Sequence, residues 1–349
     1  MAFDLQEAKE LLIKITQTAA PTFQEQKRAG FVFDYLSDLG FKPKIDQVGN
    51  VICHLVEYKG PKVLFASHLD TVFPIETDLS IQEIDGKLVA PGIGDNSSSL
   101  TIALLYAQEI ANGNIKPKLN LFFTANCGEE GLGDLFGIKE ILNTEEFDYF
   151  IAVDGYLDMI IDRAVGSKRY KLNFSAEGGH SWGDYPSPSA VHAVSEVAYR
   201  LSKIRMSSKP KTSINIGQIS GGTSINTIAQ HAECNLDMRS TDPKALQRIE
   251  NTALALIKQT AKEHKVDLQI EKIGDRPCGS SDNIKLVEIA QKVVRRYRLE
   301  PSLIAGSTDA NAAFALGIPA ITIGVYIGAN AHRKTEWVDL SSFRTGIKV

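Results

Sequence analysis

The sequence predicts an α/β fold: a doubly wound, mostly parallel sheet interrupted by an inserted α+β domain of ferredoxin-like order. Three observations carry this expectation. Short runs such as Val63-Leu64-Phe65-Ala66 and Leu121-Phe122-Phe123 are apolar at every position, as in strands covered on both faces. Segments of helical periodicity separate these runs. A chain of 349 residues is long enough for two domains, and its middle third alternates apolar and polar residues instead.

Taken in order, apolar spacing predicts a helix over 4–19 and a second over 24–39, which Gly40 closes as a C-cap glycine. Strands follow at 50–57 and 62–67. A crossover helix at 98–112 leads to a buried strand at 119–125, and another at 149–153 ends at Asp154. The middle then reads as strand 168–176, helix 189–204, strands 213–220 and 229–239, helix 243–264 and strand 266–273. That β-α-β-β-α-β order is the split arrangement of a ferredoxin-like sandwich. The uncharged stretch 310–331 contains Pro319, glycines and asparagines, so it predicts a helix, a turn and a buried strand at 320–325 rather than a membrane span. The division that results is one domain from 1–164 and 278–349, interrupted by a second at 165–277.

Composition excludes several classes. Hydrophobic residues make up 43% and charged residues 23%, ordinary for a globular protein. Thirty-eight basic against 42 acidic residues leave a net charge of −4, which argues against a nucleic-acid or acidic-membrane partner. The first residues carry acids where a signal peptide needs basic ones, and their apolar positions fall at helical spacing instead of forming an apolar core, so a cleaved signal is not expected. Cys53, Cys127, Cys234 and Cys278 are scattered with no C-x-x-C pair, which predicts a cytoplasmic protein without disulfides.

Chemistry gathers at the predicted strand ends. His68-Leu69-Asp70 follows one buried strand, where α/β clefts form; alone, such a pair is more often a structural hydrogen bond. Asp95 lies in the glycine-rich turn before a helix and could be an N-cap. Glu129 and Glu130 sit side by side between glycines after another strand, and adjacent carboxylates repel unless a cation lies between them; a solvated loop is the alternative. Asp154 ends a further strand, and His332 follows the last one, where a surface histidine would be unremarkable. Together, two histidines and three carboxylates suit zinc, cobalt or manganese. Five ligands exceed one tetrahedral ion, so if Asp95 bridges, two metals each receive a histidine and a further carboxylate.

The motifs Ser67-His68-Leu69-Asp70-Thr71-Val72, Gly94-Asp95-Asn96, Gly128-Glu129-Glu130-Gly131, Val153-Asp154-Gly155, Gly179-His180-Ser181 and His332-Arg333-Lys334-Thr335-Glu336-Trp337 resemble a known family. It is the zinc-dependent aminopeptidase, carboxypeptidase and deacylase group that includes peptidase T, glutamate carboxypeptidase, acetylornithine deacetylase and succinyl-diaminopimelate desuccinylase. The resemblance covers nearly the whole chain, inserted domain included. It implies that His68 and Asp154 hold one divalent metal, Glu130 and His332 the other, and that Asp95 bridges. The metals implied are two zinc ions, with cobalt or manganese as substitutes.

By the same resemblance, Asp70 orients His68, Glu129 is the general base, and His180 of the inserted lid stabilises the oxyanion. Asn226, Arg239 and Thr308 match substrate-side positions; a turn histidine, a structural salt bridge for Arg239 and a plain helix start for Thr308 are the alternatives. A cis peptide is expected between Asp95 and Asn96. The run Asn96-Ser97-Ser98-Ser99 departs from the family, where an acid or small residue and Lys-Gly are common, and so removes a cation near the metals.

The function expected is hydrolysis of an amide in short peptides by a dinuclear exopeptidase, with Asp154 rather than Glu favouring peptidase over deacylase. Hydrolysis of N-acyl amino acids is the alternative, and an inactive peptide-binding protein a third. A homodimer through the lid, using apolar positions along 190–199, and a monomer both fit the sequence.

Overall fold

A computed structural model of the chain describes residues 4–349. It divides into two compact units: one runs to Ala164 and resumes over Ser280–Val349, and the other is Val165–Gly279. The second junction therefore lies two residues beyond the 277/278 division read from the sequence.

The first unit is built on an eight-stranded sheet. Across it the strands run Lys44–Ile45, Val51–Val56, Asn120–Asn126, Lys62–His68, Tyr149–Val153, Ala320–Ile323, Met159–Ala164 and Ser302–Gly306. The four from Asn120–Asn126 to Ala320–Ile323 are mutually parallel, so their carboxyl ends share one edge. Successive residues of a strand enter different cores. Val63, Leu121 and Phe123 pack with Leu12 and Leu104, whereas Leu64, Ala66 and Phe150 pack with Ile138 and Phe314. Burying each such side chain contributes about 1.5–3 kcal/mol, and this two-sided burial is why the runs are continuously apolar.

Several elements join those expected from the sequence: strands Met159–Ala164 and Ser302–Gly306 and the helices Phe136–Thr144 and Ile284–Arg296. Met159–Ala164 escapes an apolar-run reading because Asp162 and Arg163 interrupt it. The expected helix, turn and strand of 310–325 form as Ala310–Ala315 and Ala320–Ile323. Gly40 takes φ +87° after the helix Gln26–Asp38, the left-handed value a C-terminal glycine supplies.

The second unit is an antiparallel sheet in the order Thr212–Gly221, His231–Ser240, Gly166–Ser175, Asp267–Arg276. Its helices, Ala190–Ser202 and Pro243–Glu263, cover one face, with Val194, Val197, Ile249 and Ile257 against Leu172, Phe174, Leu236 and Met238. Asp242 starts the long helix by accepting the Ala245 N–H at 2.6 Å, with Pro243 in the first turn, both favourable N-terminal choices. Strand order and connections are those of the ferredoxin-like sandwich.

All four cysteines are free. Among the described residues no helix is long and apolar enough to cross a membrane.

Candidate active site

The chemically distinctive residues of the first unit's shared edge are positioned by strand ends and turns that long-range hydrogen bonds brace. His68 is the last residue of Lys62–His68 and is 1% exposed. Its Nδ1 lies 3.1 Å from the Asp70 carbonyl and 3.4 Å from Asp70 Oδ1. The Asp70 carboxylate does more than face that ring: Oδ1 accepts the Glu129 N–H at 3.0 Å, and Oδ2 accepts the Glu130 N–H at 2.9 Å and the Thr22 hydroxyl at 2.8 Å. One buried carboxylate thus ties a histidine to the loop carrying both glutamates. Burial opposes its ionisation, but the bonds from His68, Glu130 and Thr22 outweigh this and hold it below the usual carboxylate value.

Asp95 follows the turn Gly92-Ile93-Gly94, and its peptide bond to Asn96 is cis, as expected. Glu336, itself 1% exposed, accepts the Gly92 and Asp95 N–H groups, each at 2.8 Å. A β-carbon on Gly94 would stand 2.5 Å from Glu336 Oε1 and 2.8 Å from the Tyr326 hydroxyl, so this turn requires glycine. Asn96 donates from its amide to Ser67 Oγ at 3.1 Å and to the Val153 carbonyl at 3.3 Å. The residue departing from the family pattern therefore braces two strand ends next to His68 and Asp154.

The two Asp95 oxygens face two different histidines. Oδ1 lies 3.1 Å from His68 Nε2, and Oδ2 lies 3.1 Å from His332 Nε2, which is also 3.0 Å from Glu130 Oε1. Ligating atoms of His68, Asp95 and Glu130 lie within 4.8 Å of one another. His68 Nε2 and Asp95 Oδ1 are both buried and make no hydrogen bond. If His68 donates from Nδ1, its Nε2 lone pair confronts the lone pairs of Asp95, an arrangement that needs a cation between them. The donor set therefore fits divalent metal ions, and nitrogen with carboxylate oxygen suits zinc, cobalt or manganese.

Charge makes the same demand. His332 is raised to about 11 by its hydrogen bonds to Asp95 and Glu130. Burial opposes a charged His68, but Asp70, Asp95 and Glu129 outweigh it and hold its pKa well above the usual value. Asp95 is driven far below the ordinary carboxylate range by both histidines despite its burial. Asp154 is raised to about 7, first by burial and then by Asp95, with Glu130 and Asp309 adding to the repulsion. Asp154 is thus in the same field as the other four.

The remaining sequence candidates divide. His180 is exposed and begins a turn: its N–H donates to Asp184 Oδ2 at 2.6 Å, and its Nδ1 accepts from the Trp182 and Gly183 N–H groups at 3.2 and 3.3 Å. Those bonds leave the ring proton on Nε2, free to donate. Asn226 stands beside it, its carbonyl accepting the Ser181 N–H at 3.0 Å. Arg239 is not with them. It pairs with Asp237 at 2.7 Å toward the other end of His231–Ser240, opposite Ser167, whereas His231 is opposite Ser175. Thr308 is 6% exposed, and its hydroxyl lies 2.6 Å from that of Thr322, so it shapes the loop whose Asp309 accepts from Asn126 at 2.9 Å.

Sequence reading passed over Thr22, Glu25, Arg28, Asn126 and Glu336. Glu25 accepts the Gly128 N–H at 3.1 Å. Arg28 is 1% exposed and donates to the carbonyls of Thr18 and Leu69 at 2.9 and 2.8 Å; burial pulls it down to about 10 against the charges of Asp70 and Glu25. Its signal was available: Arg28 shares the buried helix face of Ala29, Val32 and Leu36. Glu336 lay within a quoted motif, but nothing local to it points to Gly92.

Residues 64–349 match the model of peptidase family M20/M25/M40. A crystal structure of a tripeptidase from Staphylococcus aureus superposes with a TM-score of 0.83 at 22% identity, covering 99% of this chain and 96% of that one. The YxeP protein of Bacillus subtilis, described as a dinuclear metal binding peptidase, gives 0.69 at 15% identity over 99% and 95%. These two likenesses concern the fold. In sequence, succinyl-diaminopimelate desuccinylase of Corynebacterium glutamicum is 24% identical over 341 residues, 93% of this chain and 89% of that enzyme.

Proposed function

As the chain belongs to peptidase family M20/M25/M40, we propose that it is a dinuclear, zinc-dependent exopeptidase of short peptides, with cobalt or manganese able to substitute. The observation that carries this reading is the bidirectional placing of Asp95, 3.1 Å from a histidine nitrogen on each side. In this reading His68 and Asp154 would hold one ion and His332 and Glu130 the other, with Asp95, which faces both histidines, available to each. When bound, the ions polarise the amide carbonyl and make water more acidic.

The chain's own groups do the rest. Glu129 lies next to a proposed ligand, and Asp70 holds the main chain of both glutamates; in this reading the Glu129 carboxylate serves as the base and not as a ligand. It takes the proton of the attacking water as the carbon–oxygen bond forms, then delivers that proton to the departing amine nitrogen as the amide breaks. His180 presents Nε2–H to the tetrahedral oxyanion, either within the chain or from a second copy in a dimer through the inserted unit. Asn226 flanks the same turn, whereas Arg239, paired with Asp237 toward the other end of its strand, fits the structural salt bridge better than a substrate contact. Four free cysteines agree with a cytoplasmic setting.

Aspartate at 154, where the resembled family tends to carry Asp in peptidases and Glu in several deacylases, favours peptides. The desuccinylase relative favours a second reading, hydrolysis of N-acyl amino acids at the same site. Tripeptides assayed beside acetylated and succinylated amino acids, with each metal supplied, separate the two. Turnover of peptides supports the first; turnover of the acyl amino acids alone replaces it with the second. Glu129→Ala should reduce either activity by about 10²–10⁴-fold with metal content kept, and full activity in that variant would remove Glu129 from the mechanism.

A further inference from the structure

A turn near the start of the chain presents a side chain that the turn itself does not require. The Gln24 N–H donates to the Pro21 carbonyl at 2.8 Å, which makes Phe23 the third residue of a four-residue turn. Its φ is +73°, in the left-handed region where glycine or asparagine is usual and a bulky residue is a true outlier. The phenyl ring is 57% exposed, so core packing does not explain it either. Such outliers persist where the surroundings over-determine them, and they concentrate at functional sites.

The surroundings of Phe23 are the proposed hydrolytic centre. Before it, Thr22 donates to Asp70 Oδ2 at 2.8 Å; after it, Glu25 accepts the Gly128 N–H at 3.1 Å. Asp70 in turn holds the main chain of Glu129 and Glu130. One face of the Phe23 ring is stacked on Phe136, with centroids 5.6 Å apart and planes at 11°. A β-carbon on Gly128 would overlap that same Phe136 ring, so Phe136 lies directly against the glutamate loop and Phe23 stacks on it. Leu132, two residues beyond Glu130, is 59% exposed and adds apolar surface after the loop.

We infer that Phe23 is a specificity-determining residue: its free ring face forms a wall of a subsite for an apolar substrate side chain beside the scissile amide. This rests on the reading of the edge as an amide hydrolase. A rigid aromatic face loses little freedom on contact and attracts an apolar or aromatic partner beyond simple burial.

Phe23→Gly is the decisive variant, because glycine accepts φ +73° without cost and the fold should tolerate it; Phe23→Leu retains an apolar wall. The measurement is kcat/KM for tripeptides differing only in a Leu, Phe, Lys or Gly residue at one position. Calorimetric binding of the same peptides is measured to Glu129→Ala protein with and without Phe23→Gly. The inference predicts that Phe23→Gly loses about three- to tenfold on the Leu and Phe peptides relative to the Gly peptide, with Phe23→Leu in between. An equal loss on all peptides, or a loss confined to the Lys peptide, overturns it. Should no peptide turn over in the wild type, the peptidase reading fails by itself, and the binding ratios still decide the role of Phe23.

Discussion

At the carboxyl edge of the first unit, His68 and Asp70 are almost wholly buried, and their neighbours Asp95, Glu130 and Asp154 press negative charge on one another. In the turn that His180 begins in the second unit, the histidine stands in solvent with one ring nitrogen satisfied by two backbone N–H groups. Both regions place an imidazole with care, but for opposite electrostatic reasons. The edge has more carboxylates than its own cations can neutralise in a low-dielectric setting, so its geometry makes sense around added positive charge. The turn needs no ion: a local chain reversal fixes a tautomer and leaves one donor pointing outward. Metal affinity and transition-state stabilisation are thus expected to separate when each region is damaged alone.

The largest effect should come from the edge. Asp95→Ala removes the carboxylate facing both histidines, so bound metal, measured after dialysis, and turnover should both fall to background. His180→Ala should leave metal content unchanged and lower kcat by about 10²–10³, the usual loss for one oxyanion donor. If His180→Ala also stripped the metal, or Asp95→Ala kept it, the contrast between the regions would collapse.

A smaller effect is expected in pH dependence. Burial and the charge of Asp95 raise Asp154 to about 7 and Glu336 to about 8. A raised carboxyl binds protons more tightly in the folded chain, so its stabilisation is complete below the ordinary value near pH 4 and is lost as pH rises through 7 and 8. Metal ions supply the missing positive charge without competing protons at high pH. The rise in Tm produced by metal should therefore grow from pH 5 to pH 8, by about 2–4 °C for each kcal/mol recovered. A metal-induced shift that shrinks over this range would show that protons are not what the ions replace.

The two regions were unequally legible in the sequence. His68, Glu129, Glu130 and Asp154 could be found because a buried apolar run announces a strand and the polar residue ending it marks the edge. The inserted unit was readable for a similar reason, its alternating strands contrasting with the continuous runs elsewhere. The support of the site was not readable. Glu336 reaches back to Gly92, Glu25 to Gly128 and Asn126 to Asp309, and pairings at such sequence separations have no local pattern. Asp70 shows the limit well: spacing gave it to His68, while the fold gives its oxygens to the Glu129 and Glu130 main chain as well. Arg239 matches a substrate-side position by the resemblance, with a structural salt bridge as the alternative; the fold pairs it with Asp237, and its strand register carries it away from His180 and Asn226.

The central claim is that the buried acids of the first unit are organised around two divalent ions. Metal content per chain after zinc loading and exhaustive dialysis, by mass spectrometry on protein of known concentration, tests it directly. Two ions per wild-type chain are predicted, with His68→Ala and His332→Ala each retaining no more than one. A wild-type chain that retains no zinc, cobalt or manganese would contradict the account.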